Sequence, residues 1–213
     1  MNIQSLPKYC LTLPEKPHRT EAAQAHFKSH GLDDVTFFPG INGEKFGLKT
    51  IHPYAVDDKS GNFFCGHHET GIFLSHLSCW THIMLSHDHA MVMEDDVKFR
   101  DGWKQQANDA LFNVPEDFDF LFLGSCATGA AIKIPVKGNV WDVRYPACFH
   151  AYIISRNGAR IMIDGIRKMF APVDLASFVK DPRGGHDNPP FRSMKVYTVL
   201  PRVADQFNTE LCD

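Results

Sequence analysis

Runs of consecutive apolar residues alternate along this chain with stretches in which apolar residues recur every three or four positions. The runs predict buried strands, and the spaced recurrence predicts amphipathic helices. Strands are predicted at residues 8–13, 35–38, 90–93, 118–125, 151–155 and 195–200. Helices are predicted at residues 20–30, at residues 70–86 and directly after Asn157. This alternation predicts an α/β fold whose central sheet is mostly parallel.

Two stretches of the chain lack a sustained period. Residues 43–68 are rich in Gly, His, Asp and Lys, which predicts a long functional loop. The segment from Ala171 to Asp213 is also less regular and contains the Gly- and Pro-rich loop PRGGHDNPP. No internal repeat, low-complexity tract or linker divides the sequence. A single domain spanning residues 1–213 is therefore predicted.

Charge and hydropathy narrow the class of function. The formal net charge is -3 and no run of Lys and Arg is present, which argues against a nucleic-acid partner. The first residues lack the basic start and continuous apolar run of a signal peptide. No apolar stretch reaches the roughly 18 residues that a spanning helix needs. No transmembrane segment is expected, and peripheral membrane contact stays open.

The six cysteines contain no CxxC pair, which argues against a zinc ribbon. Cys10 and Cys148 lie in apolar runs, where a free thiol behaves as a small buried hydrophobe. Unpaired cysteines are typical of a reducing compartment. A cytoplasmic location is therefore expected.

The segment AMVMEDDV carries the strongest sign of chemistry, because an apolar strand runs directly into Glu94, Asp95 and Asp96. Ligands of open α/β sheets bind at the carboxyl ends of the strands. Three adjacent carboxylates repel one another there, and a cation is the simplest way to keep them ionised. Oxygen ligands suit Mn²⁺ or Mg²⁺, whose open positions accept diphosphate oxygens. The segment thus predicts a nucleotide-sugar site, the alternative being a solvated turn.

The longer run around these acids, HETGIFLSHLSCWTHIMLSHDHAMVMEDDV, resembles glycosyltransferase family 25. That family includes bacterial lipopolysaccharide and lipooligosaccharide galactosyltransferases and the collagen galactosyltransferases. The matching residues in this run are Gly71, Ser75, His76, Trp80, Glu94, Asp95 and Asp96. Further likeness lies in Arg19 after the first strand, in FFPGING with Asn42 and Gly43, and in AYIISRNGAR. Two positions depart from the family pattern, Ile72 for a frequent Cys and His18 for a frequent Arg.

The resemblance implies an A-type glycosyltransferase fold with a single Rossmann-like domain and an inverting mechanism. It also implies a UDP-sugar donor, with galactose or glucose as the hexose, and a saccharide or glycoconjugate acceptor. Asp96 is expected to be the principal metal ligand, with Glu94 or Asp95 at the metal shell or the ribose. The residues expected to contact the donor are Arg19, Asn42, Gly43, Ser75 and His76.

The other roles implied by the resemblance each have a structural alternative. Asp174, in APVDLASF, matches a Pro-x-Asp segment and is either the general base, an acceptor contact or a helix cap. Asp187 is its rival as base. His186 is either a metal ligand, as in other A-type transferases, or an exposed loop residue. His76 is either functional or a hydrogen-bonded core histidine, and Trp80 is expected in the core.

Two other functions fit parts of the sequence. One is a catalytically weak transferase-like module that binds a glycan or a protein. The other is a metal hydrolase built on histidines and acids that lie on either side of the predicted helix at 70–86. Its candidate ligands are His67, His68, His87 and His89, near Glu69 and Asp88.

Overall fold

The computed structural model describes residues 1–46, 67–124, 133–143, 148–165 and 194–206. Within these residues the helices are α1 (Pro17–Ser29), α2 (His67–Ser86), α3 (Trp103–Asn113) and α4 (Arg156–Gly165). The strands are β1 (Lys8–Thr12), β2 (Val35–Pro39), β3 (His89–Glu94), β4 (Val97–Phe99), β5 (Phe120–Gly124), β6 (Lys133–Lys137), β7 (Val140–Val143), β8 (Ala151–Ser155), β9 (Val196–Val199) and β10 (Ala204–Gln206).

Eight of the described strands form one sheet in the order β2-β1-β3-β8-β5-β9-β7-β6. The pairs β1–β2, β1–β3 and β5–β9 are parallel, whereas β8 and β7 run antiparallel to both of their neighbours. Six of these eight strands therefore run in one direction. The α/β class is confirmed. Most strands of the sheet share one direction, as expected, but the antiparallel strands β7 and β8 make the sheet mixed.

Alternate residues of the central strands point to opposite faces of the sheet, as strand geometry requires. In β3, Met91 and Met93 join the core against α1 and α3, while Ala90 and Val92 join the core against α2 and α4. Full burial of a large apolar side chain stabilises the fold by about 1.5–3 kcal/mol. Trp80 of α2 is fully buried, which confirms its expected place in the core.

The acidic segment is held by a second, smaller sheet. Asp95 and Asp96 form the turn between β3 and β4, and β4 pairs antiparallel with β10. In that register Gln206 lies opposite Val97, which brings the end of the described chain beside the acids. The turn is therefore fixed between the main sheet and a strand distant in sequence.

The structure adds elements that the apolar pattern did not predict, namely α3, β4, β6, β7 and β10. The expectation of a free thiol is wrong for Cys148, which is disulfide-bonded, although Cys10 is free and buried. The sequence argument for a reducing compartment loses that support. Within the described ranges, no helix combines the length and the apolar character needed to cross a membrane.

Candidate active site

The carboxyl ends of three parallel strands, β1, β2 and β3, meet at one edge of the sheet. Leu11 lies opposite Glu94, and Thr12 lies opposite Pro39. A cavity of about 270 Å³ opens at this edge. Its lining includes Thr12, Lys16, Arg19, Asn42, Gly43, Ser75, His76, Glu94, Asp95, Asp96 and Gln206. The structure thus brings together every described residue that the sequence assigned to the donor and the metal.

Arg19, in the first turn of α1, supplies a positive charge to the acidic turn. Its Nη2 donates to Asp95 Oδ1 and lies 3.8 Å from Asp96 Oδ2. Burial raises the pKa of Asp95 above its usual value, and the charge of Arg19 works against that rise. One guanidinium therefore neutralises part of the charge of three adjacent carboxylates.

Asp96 is the acid whose charge is least compensated among the three. Its Oδ1 is buried and has no hydrogen-bond partner. Burial, together with the negative charges of Glu94 and Asp95, raises the pKa of Asp96 to about 6. A buried carboxylate oxygen without a partner is costly in a protein, and a bound cation would satisfy it.

Glu94 differs from its neighbours because both of its oxygens are already bonded. His76 Nε2 lies 3.1 Å from Oε1, and Gln206 Nε2 donates to Oε2 over 3.0 Å. Burial alone would raise the pKa of Glu94, but the hydrogen bonds from His76 and Gln206 are among the interactions that outweigh burial and leave the pKa below its usual value. Glu94 therefore stays a carboxylate with a fixed orientation.

Ser75 holds the backbone that forms one wall of the cavity. Its hydroxyl accepts a hydrogen bond from the Ile41 N–H at 2.8 Å and donates to the Gly71 carbonyl oxygen at 2.7 Å. A Cβ on Gly71 would lie 2.5 Å from the Ile41 carbonyl oxygen. A Cβ on Gly43 would collide with the His67 carbonyl group. The glycines thus allow α2 to pack directly on the backbone of residues 41–43.

Comparison with known families bears directly on this cavity. The sequence profile of glycosyltransferase family 25, described as LPS biosynthesis protein, matches residues 5–133, more than half of the chain. The chain belongs to glycosyltransferase family 25. The match covers Arg19, the turn at 40–43, the first part of α2 and all three acids, which form most of the described lining of the cavity, whereas Gln206 lies outside the match.

Two further comparisons add little to the family assignment. No curated protein sequence matches this family 25 chain. Among solved structures, it is similar to the crystal structure of a glycosyltransferase involved in the glycosylation of the major capsid of PBCV-1. The identity is 7%, the TM-score is 0.38, and the likeness covers 92% of this chain and 93% of that chain. At this score the likeness establishes neither fold nor function.

The cavity of this family 25 protein fits a divalent ion that arrives with a phosphate ligand. Among the described residues, no three His, Cys, Asp or Glu side chains are arranged as a complete metal site. Mg²⁺ is commonly held by one or two carboxylates together with substrate phosphates. The buried, unpartnered Oδ1 of Asp96 provides one such ligand. The residues present therefore fit a divalent ion that would take its other ligands from outside the described residues, such as substrate phosphates.

The histidines proposed for a metal hydrolase do not form one site. His67 and His68 begin α2, whereas His87 follows its last residue and His89 begins β3. A helix of 20 residues separates the two pairs by about 30 Å. The hydrolase hypothesis is wrong in this form, because histidines so far apart cannot share a metal ion.

Three residues with expected roles, Asp174, His186 and Asp187, lie outside the described residues. Two cavity features were not expected from the sequence. Gln206 reaches Glu94 from 112 positions away along the chain, and no local pattern marks it. Tyr152 contacts His76 from β8, and only the AYIIS segment pointed to its strand.

The raised pKa of Asp96 gives a prediction for the metal-free protein. Asp96 is less favourable as a carboxylate in the folded protein than in the unfolded chain. Below pH 3.8 the side chain is protonated in both states and the free energy of unfolding is not reduced. As the pH rises through about 6, the ionisation of Asp96 lowers the free energy of unfolding. Asp96→Asn removes this penalty. We expect the free energy of unfolding of the variant at pH 8 to exceed that of the unmodified protein by roughly 1–2 kcal/mol. This is less than a pKa shift of about two units represents, because the Asp96 side chain is 31% exposed and solvent screens its charge.

This gain should shrink steadily as the pH is lowered from 7 towards 4. Urea unfolding in the presence of a chelator measures it at each pH. Asp101→Asn, at an exposed position outside the cavity, serves as the matched control and should show no such gain. Equal stability of Asp96→Asn and the unmodified protein at pH 8 would show that Asp96 carries no electrostatic penalty.

Proposed function

We propose that this family 25 protein is an inverting hexosyltransferase that uses a UDP-sugar and a divalent ion, Mn²⁺ or Mg²⁺. The acceptor is a saccharide or glycoconjugate, and galactose or glucose is the hexose transferred. The observation that carries the proposal is the Asp96 carboxylate, whose buried oxygen lacks a partner in a cavity lined by three more acids, Glu44, Glu94 and Asp95. A divalent ion and a diphosphate together match that arrangement of charge.

The positive groups of the cavity support a diphosphate ligand. Lys16 and Arg19 both line the cavity, and both belong to the amino-terminal end of α1. This end carries the positive pole of the helix dipole, and helix amino termini bind phosphate groups readily. The side chain of the N-cap residue, Lys16, makes no capping hydrogen bond to this end of α1. We expect the donor diphosphate to lie between these cations and the acidic turn.

The proposed reaction breaks the bond between the anomeric carbon and the diphosphate oxygen while the acceptor hydroxyl oxygen attacks that carbon. The acceptor proton passes to a general base, for which Asp174 remains the hypothesis. The departing diphosphate gains negative charge, and a divalent ion bound at Asp96 supplies electrostatic stabilisation for it. Arg19 is suited to move from the carboxylates to the phosphates, since a guanidinium pairs with either group.

The distribution of hydrogen bonds also suggests how the three acids divide their tasks. Glu94 is held by His76 and Gln206, whereas Asp96 has a free oxygen. A bound carboxylate is suited to orient a hydroxyl of the ribose or the sugar, and a free one is suited to bind the ion. We therefore place Asp96 at the metal and Glu94 at a donor hydroxyl.

The test is UDP release from a panel of UDP-sugars, measured with Mn²⁺ and with a chelator. We expect one donor to be hydrolysed or transferred in the presence of Mn²⁺, with little release under chelation. That donor would identify the sugar. Binding of UDP without release from any donor would instead support the glycan- or protein-binding module.

A further inference from the structure

A row of hydrogen bonds runs from the interior of the fold to the Glu94 carboxylate. Trp80 Nε1 donates to Tyr152 Oη at 2.8 Å, and Tyr152 Oη lies 2.8 Å from His76 Nδ1. The opposite nitrogen, His76 Nε2, lies 3.1 Å from Glu94 Oε1. The three ring side chains are fully buried, so bulk water does not compete for these bonds. The row connects α2, β8 and the end of β3.

Only one arrangement of protons satisfies the whole row. The indole N–H of Trp80 can only donate, so Tyr152 Oη accepts from it. Burial raises the pKa of Tyr152 well above its usual value, so its hydroxyl keeps its proton. That proton has His76 Nδ1 as its partner, which makes Nδ1 an acceptor. The ring proton of His76 then resides on Nε2 and is donated to Glu94.

A doubly protonated His76 fits this row less well. Both the imidazole and the indole would then donate to Tyr152 Oη, and the buried tyrosine proton would lose its acceptor. A buried donor without a partner costs free energy. The Tyr152 hydroxyl and the Glu94 carboxylate therefore favour the same neutral tautomer of His76, as the partners of the two ring nitrogens commonly do for histidines in functional sites.

Glu94 is the residue through which this row of hydrogen bonds affects the cavity. His76 fixes Oε1, Gln206 fixes Oε2, and the carboxylate still has lone pairs for hydroxyl donors. We infer that Tyr152 and Trp80 are positioning residues of the donor site, which act through His76 to hold Glu94 in the orientation that accepts a hydroxyl of the nucleotide sugar. This inference rests on the proposed function, because it requires a donor in the cavity.

The test is Tyr152→Phe, which keeps the ring and removes the hydroxyl. In the unmodified protein, ¹⁵N NMR of labelled histidines should show His76 as the Nε2–H tautomer, its signals assigned by their loss in His76→Gln. In Tyr152→Phe, Nδ1 loses its donor, so its ¹⁵N signal should move to the position of a ring nitrogen without a hydrogen bond, while the Glu94 carboxylate keeps the ring proton on Nε2. UDP affinity in the presence of Mn²⁺ should fall about tenfold, the usual effect of one lost buried hydrogen bond.

Tyr9→Phe is the matched control, because Tyr9 is also buried and its hydroxyl contacts two histidines, His82 and His87. It lies outside the cavity lining and should leave both the His76 Nδ1 signal and UDP affinity unchanged. Trp80→Phe is the second variant. It removes the indole N–H that holds Tyr152 Oη in place, so the hydrogen bond from Tyr152 to His76 Nδ1 should weaken and the Nδ1 signal should move in the same direction by a smaller amount.

The outcomes separate this inference from the proposed function. An unchanged His76 Nδ1 signal in both Tyr152→Phe and Trp80→Phe would overturn it, and so would a changed signal with unchanged UDP affinity. Both results presuppose that the unmodified protein binds UDP. Absence of UDP binding by the unmodified protein would overturn the proposed function instead, and the tautomer would then be a property of the core alone.

Discussion

Asp96→Asn is expected to reduce Mn²⁺-dependent UDP release by about 10²–10³-fold, the effect of removing one group that stabilises transition-state charge. Asparagine preserves the size of the side chain and one oxygen, but it lacks the negative charge that binds the cation. Stability should not fall, since the Asp96 carboxylate is itself a source of electrostatic strain in the metal-free fold. The variant therefore separates loss of function from loss of structure.

The measurement is the initial rate of UDP release at a saturating concentration of the accepted donor, over a range of Mn²⁺ concentrations. Asp101→Asn is the control, because it removes the same charge from an exposed position near the acidic turn. It should retain the rate of the unmodified protein. A fully active, Mn²⁺-dependent Asp96→Asn protein would contradict the assignment of Asp96 to the metal.

Gly71→Ala is expected to have the second largest effect. The added methyl group would lie 2.5 Å from the Ile41 carbonyl oxygen and 2.7 Å from the Gly43 nitrogen. Because both contacts are with backbone atoms, α2 and the turn at 40–43 must move apart. Overpacking of this kind costs about 1–3 kcal/mol. The same movement would break the hydrogen bond from the Ile41 N–H to the Ser75 hydroxyl and deform one wall of the cavity.

The expected result for Gly71→Ala is a Tm lower by several degrees, together with weaker UDP binding at temperatures where the variant is fully folded. Thermal unfolding and a UDP titration on the same samples measure both. Ser78→Ala, at an exposed position of the same helix, is the control and should change neither property. A Gly71→Ala protein as stable as the unmodified one would show that the helix does not need this close approach.

The clear apolar patterns in the sequence predicted most of the central strands and three of the four described helices. β3, β5 and β8 were found because continuous apolar runs mark strands that are buried on both faces. By contrast, α3 buries Ala107 and Ala110 beside Trp103, and alanines give a weak apolar signal. β4 and β10 have only three residues each, and their pairing depends on contacts more than 100 positions apart.

The site was predictable in its chemistry and less so in its connections. The three acids were found because they directly follow a buried strand, and Arg19 was found through the resemblance to family 25. All four residues line the cavity. Two supporting residues were not found, namely Gln206, which donates to Glu94, and Tyr152, which contacts His76. Gln206 belongs to a different part of the chain, and Tyr152 reads as an ordinary core residue. The sequence shows which side chains are charged, whereas the fold determines which residues form hydrogen bonds with them.

The most direct test of the central claim is the affinity of the unmodified protein for UDP, measured by calorimetry with Mn²⁺ and with a chelator. A cation shared between Asp96 and the diphosphate requires that each ligand strengthens the binding of the other. We predict that UDP binds at least about tenfold more tightly with Mn²⁺, a coupling of about 1.4 kcal/mol. Equal UDP affinity in the two conditions, or no UDP binding in either, would contradict a metal-dependent UDP-sugar site.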